Sequence, residues 1–313
     1  MPTTHVILGA GPVGHAVAAA LVARDIEPVV VTRRGTRVPG AISRSADFTD
    51  PTQAAAAVAG SHVVFQCAQP PYHRWPEQFP TLQAQVVDAA ASAGALLVVA
   101  ENLYGYGPVS GPVTEDLPLT ATTRKGAVRA QMWQELDTAH RAGRLRIVAA
   151  RASDFFGPGV DASAVGRRFF DPLTRGKAVS VVGDPDRPHT YTYVPDFGEA
   201  MVRLSEAPKT WGRAWHIPNA PTTSTRAFAE EAAAIAGSEL RLRAAPRWQL
   251  RLAGAFVPAL REIVEILYEF EDDWVVDHSA YTASIGDHAT PLNAALAATV
   301  AAHRLAPATA IDS

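Results

Sequence analysis

Three glycines, Gly9, Gly11 and Gly14, stand in the pattern G-x-G-x-x-G inside the stretch HVILGAGPVG. An apolar run, His5 to Leu8, precedes them, and a helix-like segment opens at Pro12. Between a strand and a helix the three glycines serve, in turn, a tight bend, close backbone approach to a pyrophosphate, and close helix–strand packing. The helix start adds unpaired N–H groups and the positive end of its dipole. Gly9, Gly11, Pro12, Val13 and Gly14 are therefore expected to cradle a dinucleotide.

The end of the second apolar run decides which one. An NAD site places Asp or Glu there for the ribose hydroxyls. This chain reads Thr32-Arg33-Arg34-Gly35 and has no acid. Two guanidiniums suit a 2′-phosphate, so NADP(H) is the expected cofactor; the competing reading is a pair of solvated arginines. A charge-assisted hydrogen bond is worth roughly 1.5–3 kcal/mol, and about 1.4 kcal/mol is tenfold in affinity, so one good contact favours NADP by one to two orders of magnitude. Asp47 and Phe48 follow the third run. The Asp47 carboxylate suits an adenine amino group or, equally, a loop or helix cap. Ala68 and Gln69, at the end of the fourth run, complete the expected cofactor contacts.

The elements that must hold these residues alternate short apolar runs with helix-length amphipathic segments. That is the pattern of an α/β fold, a Rossmann-type doubly wound parallel sheet. Strands are expected at His5–Leu8, Pro28–Thr32, Ala41–Phe48, His62–Ala68, Ala95–Ala100 and Leu145–Ala150. Helices are expected from Pro12 to Arg24, from Pro51 to Gly60 with Asp50 as N-cap, from Gln78 to Ser92 and from Thr123 to Arg141. Beyond Arg151 the chain is interrupted by Pro and Gly. It reads as helix then strand over 169–183, a helix over 195–205, a strand over 215–217, a helix over 225–236 and a long helix over 250–270 broken near Pro258, with a frayed tail after Leu305. The expected division is a cofactor-binding domain over 1–165, with later returns near 188–236, and a smaller C-terminal substrate cap formed by 166–187 and 237–313.

Composition narrows the function. The 313 residues are 48% hydrophobic with a formal net charge of −3. There is no basic footprint for nucleic acid and no polybasic membrane patch. No apolar run reaches the roughly 18 residues of a membrane-spanning helix, and the early first strand leaves no room for a signal peptide. A cytoplasmic protein is expected. The single cysteine, Cys67, sits in an apolar strand and reads as a small buried hydrophobe rather than a nucleophile. No metal-ligand spacing occurs; His278, His288 and His303 read as surface histidines. G-x-S-x-G is missing, which argues against a serine hydrolase.

With GAGPVG, Ala46-Asp47-Phe48, Asn102-Leu103-Tyr104-Gly105, RASDFFGPG over 151–159, Gly183-Asp184 and YTYVPD over 191–196, nearly the whole chain resembles the extended, atypical short-chain dehydrogenase/reductases, the NAD-dependent epimerase/dehydratase branch. The glycine turn is one residue shorter than that family's usual one. The resemblance implies a Rossmann domain carrying a substrate cap, and a Ser, a Tyr and a Lys in the active site, with the Tyr as acid/base. Those positions fall on Ala100, Lys125 and Arg129, and no Tyr occurs between Tyr106 and Tyr191. Proton exchange is therefore expected from Lys125, with Arg129 one helical turn on as the cation that lowers its pKa, or from Tyr104; the competing readings are cofactor binding by Lys125 and a pocket wall at Tyr104. The resemblance also implies that nucleotide-sugar members carry an Arg where this chain has His189.

The loop Gln69 to Trp75 is aromatic and proline-stiffened. With Asn102, Tyr104, Phe155, Phe156 and Tyr191 it suggests a pocket for a small, partly apolar organic molecule, contacted by Tyr72, Trp75, Asn102, Tyr104, Phe155 and Tyr191; the aromatics read equally well as core. The first expectation is an NADP(H)-dependent atypical reductase. The alternatives are a non-catalytic NADP(H)-binding redox sensor and, third, an epimerase or dehydratase using bound cofactor. A homodimer is expected through the helices over 78–92 and 123–141, whose Leu82, Val86, Ala89, Val128, Met132 and Leu136 recur at helical spacing.

Overall fold

The computed structural model describes residues 4–245 and 264–305. The chain divides into two units: Met1–Ser153 with Pro195–Pro218 and Val276–His288, and Asp154–Val194 with Asn219–Val275 and Ala289–Ser313. The division differs from the expected one in that 154–165, 188–194 and 219–236 go with the second unit, while 276–288 return to the first.

The first unit is a seven-stranded, all-parallel sheet. Its strands are β1 (His5–Leu8), β2 (Val29–Thr32), β3 (Ile42–Ser45), β4 (Val63–Gln66), β5 (Leu96–Asn102), β6 (Arg146–Ala152) and the strand Ala214–His216. The order is Ala214–His216, β6, β5, β4, β1, β2, β3. β1 and β4 are buried at every residue, as their unbroken hydrophobicity requires of strands covered on both faces. β3 is the edge; its sequence ISRS is mostly exposed.

One face packs on α2 (Pro51–Val58), α3 (Trp75–Ala93) and α4 (Arg124–Arg141), joining Val6, Leu8, Val31, Val64, Leu97, Val99 and Ile147 to Ala54, Val86, Ala90 and Leu136. α1 (Pro12–Val22) buries Val17, Ala18 and Leu21, and the helix Val194–Ser205 lies so close to it that a Cβ on Gly198 would come within 2.5 Å of the Ala16 backbone. Asp50 caps α2 by accepting from the Thr52 and Gln53 amides, and Thr123 caps α4 through the Gly126 amide. The second unit has its own core, in which Phe156, Phe169, Phe170, Tyr191 and Phe228 pack with Leu296 and Val300.

Several expectations change. α3 begins at Trp75, three residues early, because the 3-10 turn Tyr72–Arg74 runs into it. The apolar stripe expected at a dimer face is used inside the unit: Val86, Ala89, Met132 and Leu136 are buried, and Leu82 and Val128 pack beside the buried Trp75, Phe79 and Met132. His303 is not a surface histidine: it is buried, stacked on Phe170 and bonded through Nδ1 to Asp171 Oδ1 at 2.9 Å. Cys67 is half-buried rather than buried, and desolvation pushes its thiol up, away from the range of a nucleophile. The helix expected over 250–270 falls mainly on residues 246–263, and the tail after Leu305 on 306–313; both lie outside the described residues. Among the described residues no helix is long and apolar enough to cross a membrane, and no group of three or more His, Cys, Asp or Glu is placed to hold a metal ion.

One ion-pair cluster ties α1 to the helix Val194–Ser205. Arg24 donates to both Glu199 oxygens at 2.8 and 2.7 Å, and Arg203 Nε donates to Glu199 Oε1 at 2.6 Å. The Arg24 bond, above all, holds the Glu199 carboxyl down to about 2 from its usual 4.5. A carboxyl whose pKa falls on folding stabilises the fold above its unfolded pKa and loses that contribution as pH drops through the folded one. Glu199→Gln should therefore lower Tm at neutral pH, modestly because the site is partly exposed, and the difference from wild type should vanish near pH 2. Calorimetry across pH checks this.

Candidate functional site

The glycine turn has the geometry its spacing predicts. Gly9 adopts φ +99°, and a Cβ there would lie 2.9 Å from the Ala68 backbone; its amide donates to Val31 O at 2.9 Å. A Cβ on Gly14 would meet Gly9 O at 2.1 Å. Gly11, the N-cap of α1, is exposed with open space where a Cβ would be, and Pro12 occupies the first turn. These positions fit a dinucleotide: two glycines hold the turn against the sheet, and the third leaves the α1 N-terminus open to a phosphate. Val13 and Ala68 flank the turn, both partly exposed, and Gln69 follows Ala68 exposed.

Arg33 and Arg34 sit exposed in the turn after β2 and line a shallow pocket with Thr32 and Thr36. Thr32 Oγ1 accepts from the Thr36 amide at 2.8 Å, and Ser45 Oγ donates to Arg33 O at 2.8 Å, which fixes the turn through its backbone and leaves both guanidiniums out of these bonds. Asp47 Oδ1 accepts from the Thr49 amide at 2.9 Å and from its hydroxyl at 2.8 Å, bonds that lower the carboxyl pKa. That oxygen serves the loop. The Phe48 side chain belongs to the core, so only its backbone is left to contact a ligand.

The second cluster lies beyond the C-terminal ends of β4 and β5. Lys125, in the first turn of α4, is 1% exposed, and its Nζ sits 4.3 Å from the centroid of the Tyr72 ring. The Tyr72 hydroxyl donates to the Tyr104 hydroxyl at 3.3 Å. The Tyr72, Trp75 and Tyr104 rings are grouped at centroid separations of 5.0, 6.1 and 6.5 Å. Gly126 makes the arrangement possible: a Cβ there would come within 2.6 Å of Tyr104 O, so glycine lets α4 dock on the Tyr104 turn. Asn102 Oδ1 accepts from the Tyr104 amide at 3.3 Å. The cluster thus places one buried amine beside two linked phenols.

The structure thus brings Tyr72, Trp75, Tyr104 and Lys125 together, with Asn102 beside them. Trp75 is largely core, its Nε1 donating to Pro70 O at 3.2 Å and its ring packed on Phe79. Phe155 and Tyr191 belong to the second unit. Tyr191 is a correction: it is buried in that unit's core, its hydroxyl 2.8 Å from Thr225 Oγ1, and burial raises its pKa. His189, also in the second unit, is stacked on Phe270, with Nδ1 2.9 Å from Glu269 O and Nε2 3.0 Å from Asp154 Oδ2.

Sequence reasoning missed the charges beneath the Tyr104 turn. Glu101 is buried between two buried arginines, Oε1 accepting from Arg129 Nη2 at 3.3 Å and Oε2 from Arg151 Nε at 2.9 Å. Arg151 Nη1 donates to the Tyr106 hydroxyl at 2.7 Å, and that oxygen lies 2.9 Å from His216 Nε2, whose Nδ1 faces Asp277 O at 3.0 Å. Partners assign the tautomer: Tyr106 donates to Nε2, and Nδ1–H donates to the carbonyl. Burial pushes His216 down to about 3, so it is neutral. The signal was a Glu and an Arg inside otherwise apolar strands.

The family model described as the NAD dependent epimerase/dehydratase family matches residues 5–217. The chain belongs to that family. Among solved structures, UDP-glucuronic acid 4-epimerase from Bacillus cereus, in complex with NAD, superposes with a TM-score of 0.79 at 16% identity, over 96% of this chain and 99% of that one. A putative epimerase from Burkholderia cenocepacia gives 0.78 at 20% identity over 97% and 99%. MoeE5 in complex with UDP-glucose and NAD gives 0.76 at 18% over 96% and 98%. At these identities the family members share the fold. No curated protein sequence matches the chain.

Proposed function

We propose that the protein is an NADP(H)-dependent enzyme that exchanges hydride with a small, partly apolar organic substrate, with Tyr104 and Lys125 managing the proton. The observation that carries this reading is Lys125 Nζ, buried at 4.3 Å over the Tyr72 ring, with Tyr72 hydrogen-bonded to Tyr104. The nicotinamide, when bound, supplies a hydride acceptor or donor. The Tyr104 hydroxyl takes or gives the substrate's proton, Tyr72 fixes its orientation, and the Lys125 ammonium stabilises the phenolate. His189, with both ring nitrogens already facing oxygens, is poorly suited to a nucleotide-sugar diphosphate and supports a smaller substrate.

A second reading, an epimerase or dehydratase that returns the hydride to its own product, is favoured by the family and by relatives crystallised with NAD. Incubating the protein with NADPH and a panel of small ketones and aldehydes, and with NADP+ and hydroxyl-bearing substrates, separates the readings. NADPH loss matched by alcohol formation supports the reductase. Conversion without net cofactor loss supports the epimerase or dehydratase. Cofactor binding with no conversion favours a non-catalytic sensor.

Cofactor choice gives a further expected result. NADPH should bind roughly ten- to hundredfold more tightly than NADH, and Arg33→Ala/Arg34→Ala should remove most of that preference. Fluorescence titration with both cofactors measures it; equal affinities in the wild type would rule out the 2′-phosphate role.

A further inference from the structure

Glu101 is 3% exposed at its side chain, and Arg129 and Arg151 are each 4% exposed. One carboxylate faces two guanidiniums, so the buried cluster carries one positive charge in excess. Nothing in cofactor binding or in the Tyr104–Lys125 pair itself requires it, and replacing such buried ion groups by apolar residues is often neutral or stabilising.

The cluster is adjacent to the pair. Arg129 lies one helical turn beyond Lys125, donates to Ala100 O at 3.3 Å, and places its guanidinium 4.9 Å from the Phe79 ring and 5.8 Å from the Trp75 ring, which itself touches Tyr104. Gly105 packs against the Ala130 backbone and Gly126 against Tyr104 O, which fixes the Tyr104 turn against this stretch of α4. Burial, above all, lowers the Arg129 pKa, while the charges of Glu101 and of a Tyr104 phenolate act to raise it.

Other charged groups lie on the elements that carry the pair. Glu77 on α3 is exposed and pairs with exposed Arg124 at 3.7 Å; His73 and Arg74 on the Tyr72 turn are exposed as well. Behind Arg151 lie the neutral Tyr106 and His216, with Glu115 held on the His216 amide at 3.0 Å and Asp277 meeting the ring through its carbonyl. The exposed charges are screened by solvent. The buried ones are not.

We propose that Glu101 is a positioning residue that sets the charge beneath the Tyr104–Lys125 pair: holding Arg129 on one oxygen and Arg151 on the other, it leaves a single buried positive charge there, and that charge fixes the pH at which the pair exchanges its proton. This rests on the proposed role of the pair. Positive charge favours loss of a proton from a phenol and from an ammonium alike, so the direction is the same whichever group gives it up.

Two variants then move the site in opposite directions. Glu101→Gln doubles the excess charge and lowers the transition; Arg129→Gln removes the excess and raises it, each by about one pH unit. Loss of packing alone does not produce shifts of opposite sign. Glu101→Asp keeps the charge and should stay near wild type, and with Arg129→Gln it maintains the test if Glu101→Gln does not fold. The experiment is tyrosinate difference spectroscopy of the cofactor-free protein across pH, with the Tyr104→Phe variant subtracted to isolate Tyr104. Opposed shifts support the proposal. Unshifted transitions, shifts of one sign, or no Tyr104 component within the folded range would overturn it. Turnover of Lys125→Met is scored separately: undiminished turnover sinks the proposed proton chemistry and leaves the titration standing, whereas a dead Lys125→Met with unshifted titrations sinks only the role of Glu101.

Discussion

Lys125→Met should lower turnover by roughly 10²–10⁴, the usual weight of a positioned proton-transfer group, while NADPH affinity changes little. Met keeps the length and the apolar stem of the buried side chain and removes only the ammonium over the Tyr72 ring. If the ammonium stabilises a Tyr104 phenolate, the loss appears in kcat and in kcat/KM together, because the interaction exists only as the proton moves. Tyr104→Phe should cost at least as much. Wild-type turnover in Lys125→Met would take Lys125 out of the mechanism. Loss of NADPH binding instead would make it a cofactor ligand and strengthen the sensor reading. Steady-state kinetics on a substrate from the panel, with a fluorescence titration of NADPH, decides among these outcomes.

The glycine turn should separate into a structural and a binding position. A Cβ at Gly14 falls 2.1 Å from Gly9 O and 3.0 Å from Gly9 C, both backbone atoms that yield only if α1 moves away from β1. Gly14→Ala should therefore destabilise the fold by about 1–3 kcal/mol or more, as overpacked sites do, and weaken cofactor binding with it. A Cβ at Gly11 meets nothing within 4 Å, and its φ of −78° suits any residue. Gly11→Ala should leave Tm unchanged yet weaken NADPH binding by roughly tenfold or more, because the only thing the methyl group can displace is the ligand's pyrophosphate. A Gly11→Ala variant that binds NADPH normally would show that the phosphates do not approach there.

The sheet was legible because its signals are local. His5–Leu8, Val29–Thr32 and Val63–Gln66 are short, unbroken apolar runs, and Asp50-Pro51 and Thr123 begin their helices as caps do. Gly9 and Gly14 were legible because no side chain fits where they stand. The Lys125–Tyr72–Tyr104 grouping was visible only in part. Lys125 and Tyr104 were reached by counting from family motifs, and Tyr72 by the composition of its loop, but their meeting depends on Gly126 admitting the Tyr104 carbonyl, which no spacing reveals. Glu101 and Arg151 are hidden more deeply: they face each other across β5 and β6, 50 residues apart in sequence. Tyr191 misled because an aromatic near a motif and an aromatic in a core look alike in sequence; Thr225 satisfies its hydroxyl.

The central claim is that a nicotinamide cradled by the glycine turn meets Tyr104 and Lys125. A crystal structure of the protein soaked with NADPH tests it most directly, through what lies within hydrogen-bond reach of the nicotinamide C4 face. The expected result is the pyrophosphate at Gly11 and the α1 N-terminus, the 2′-phosphate on Arg33 or Arg34, and the Tyr104 hydroxyl with Lys125 Nζ beside the C4 face. A bound cofactor whose nicotinamide points away from Tyr104 and Lys125 would contradict the account.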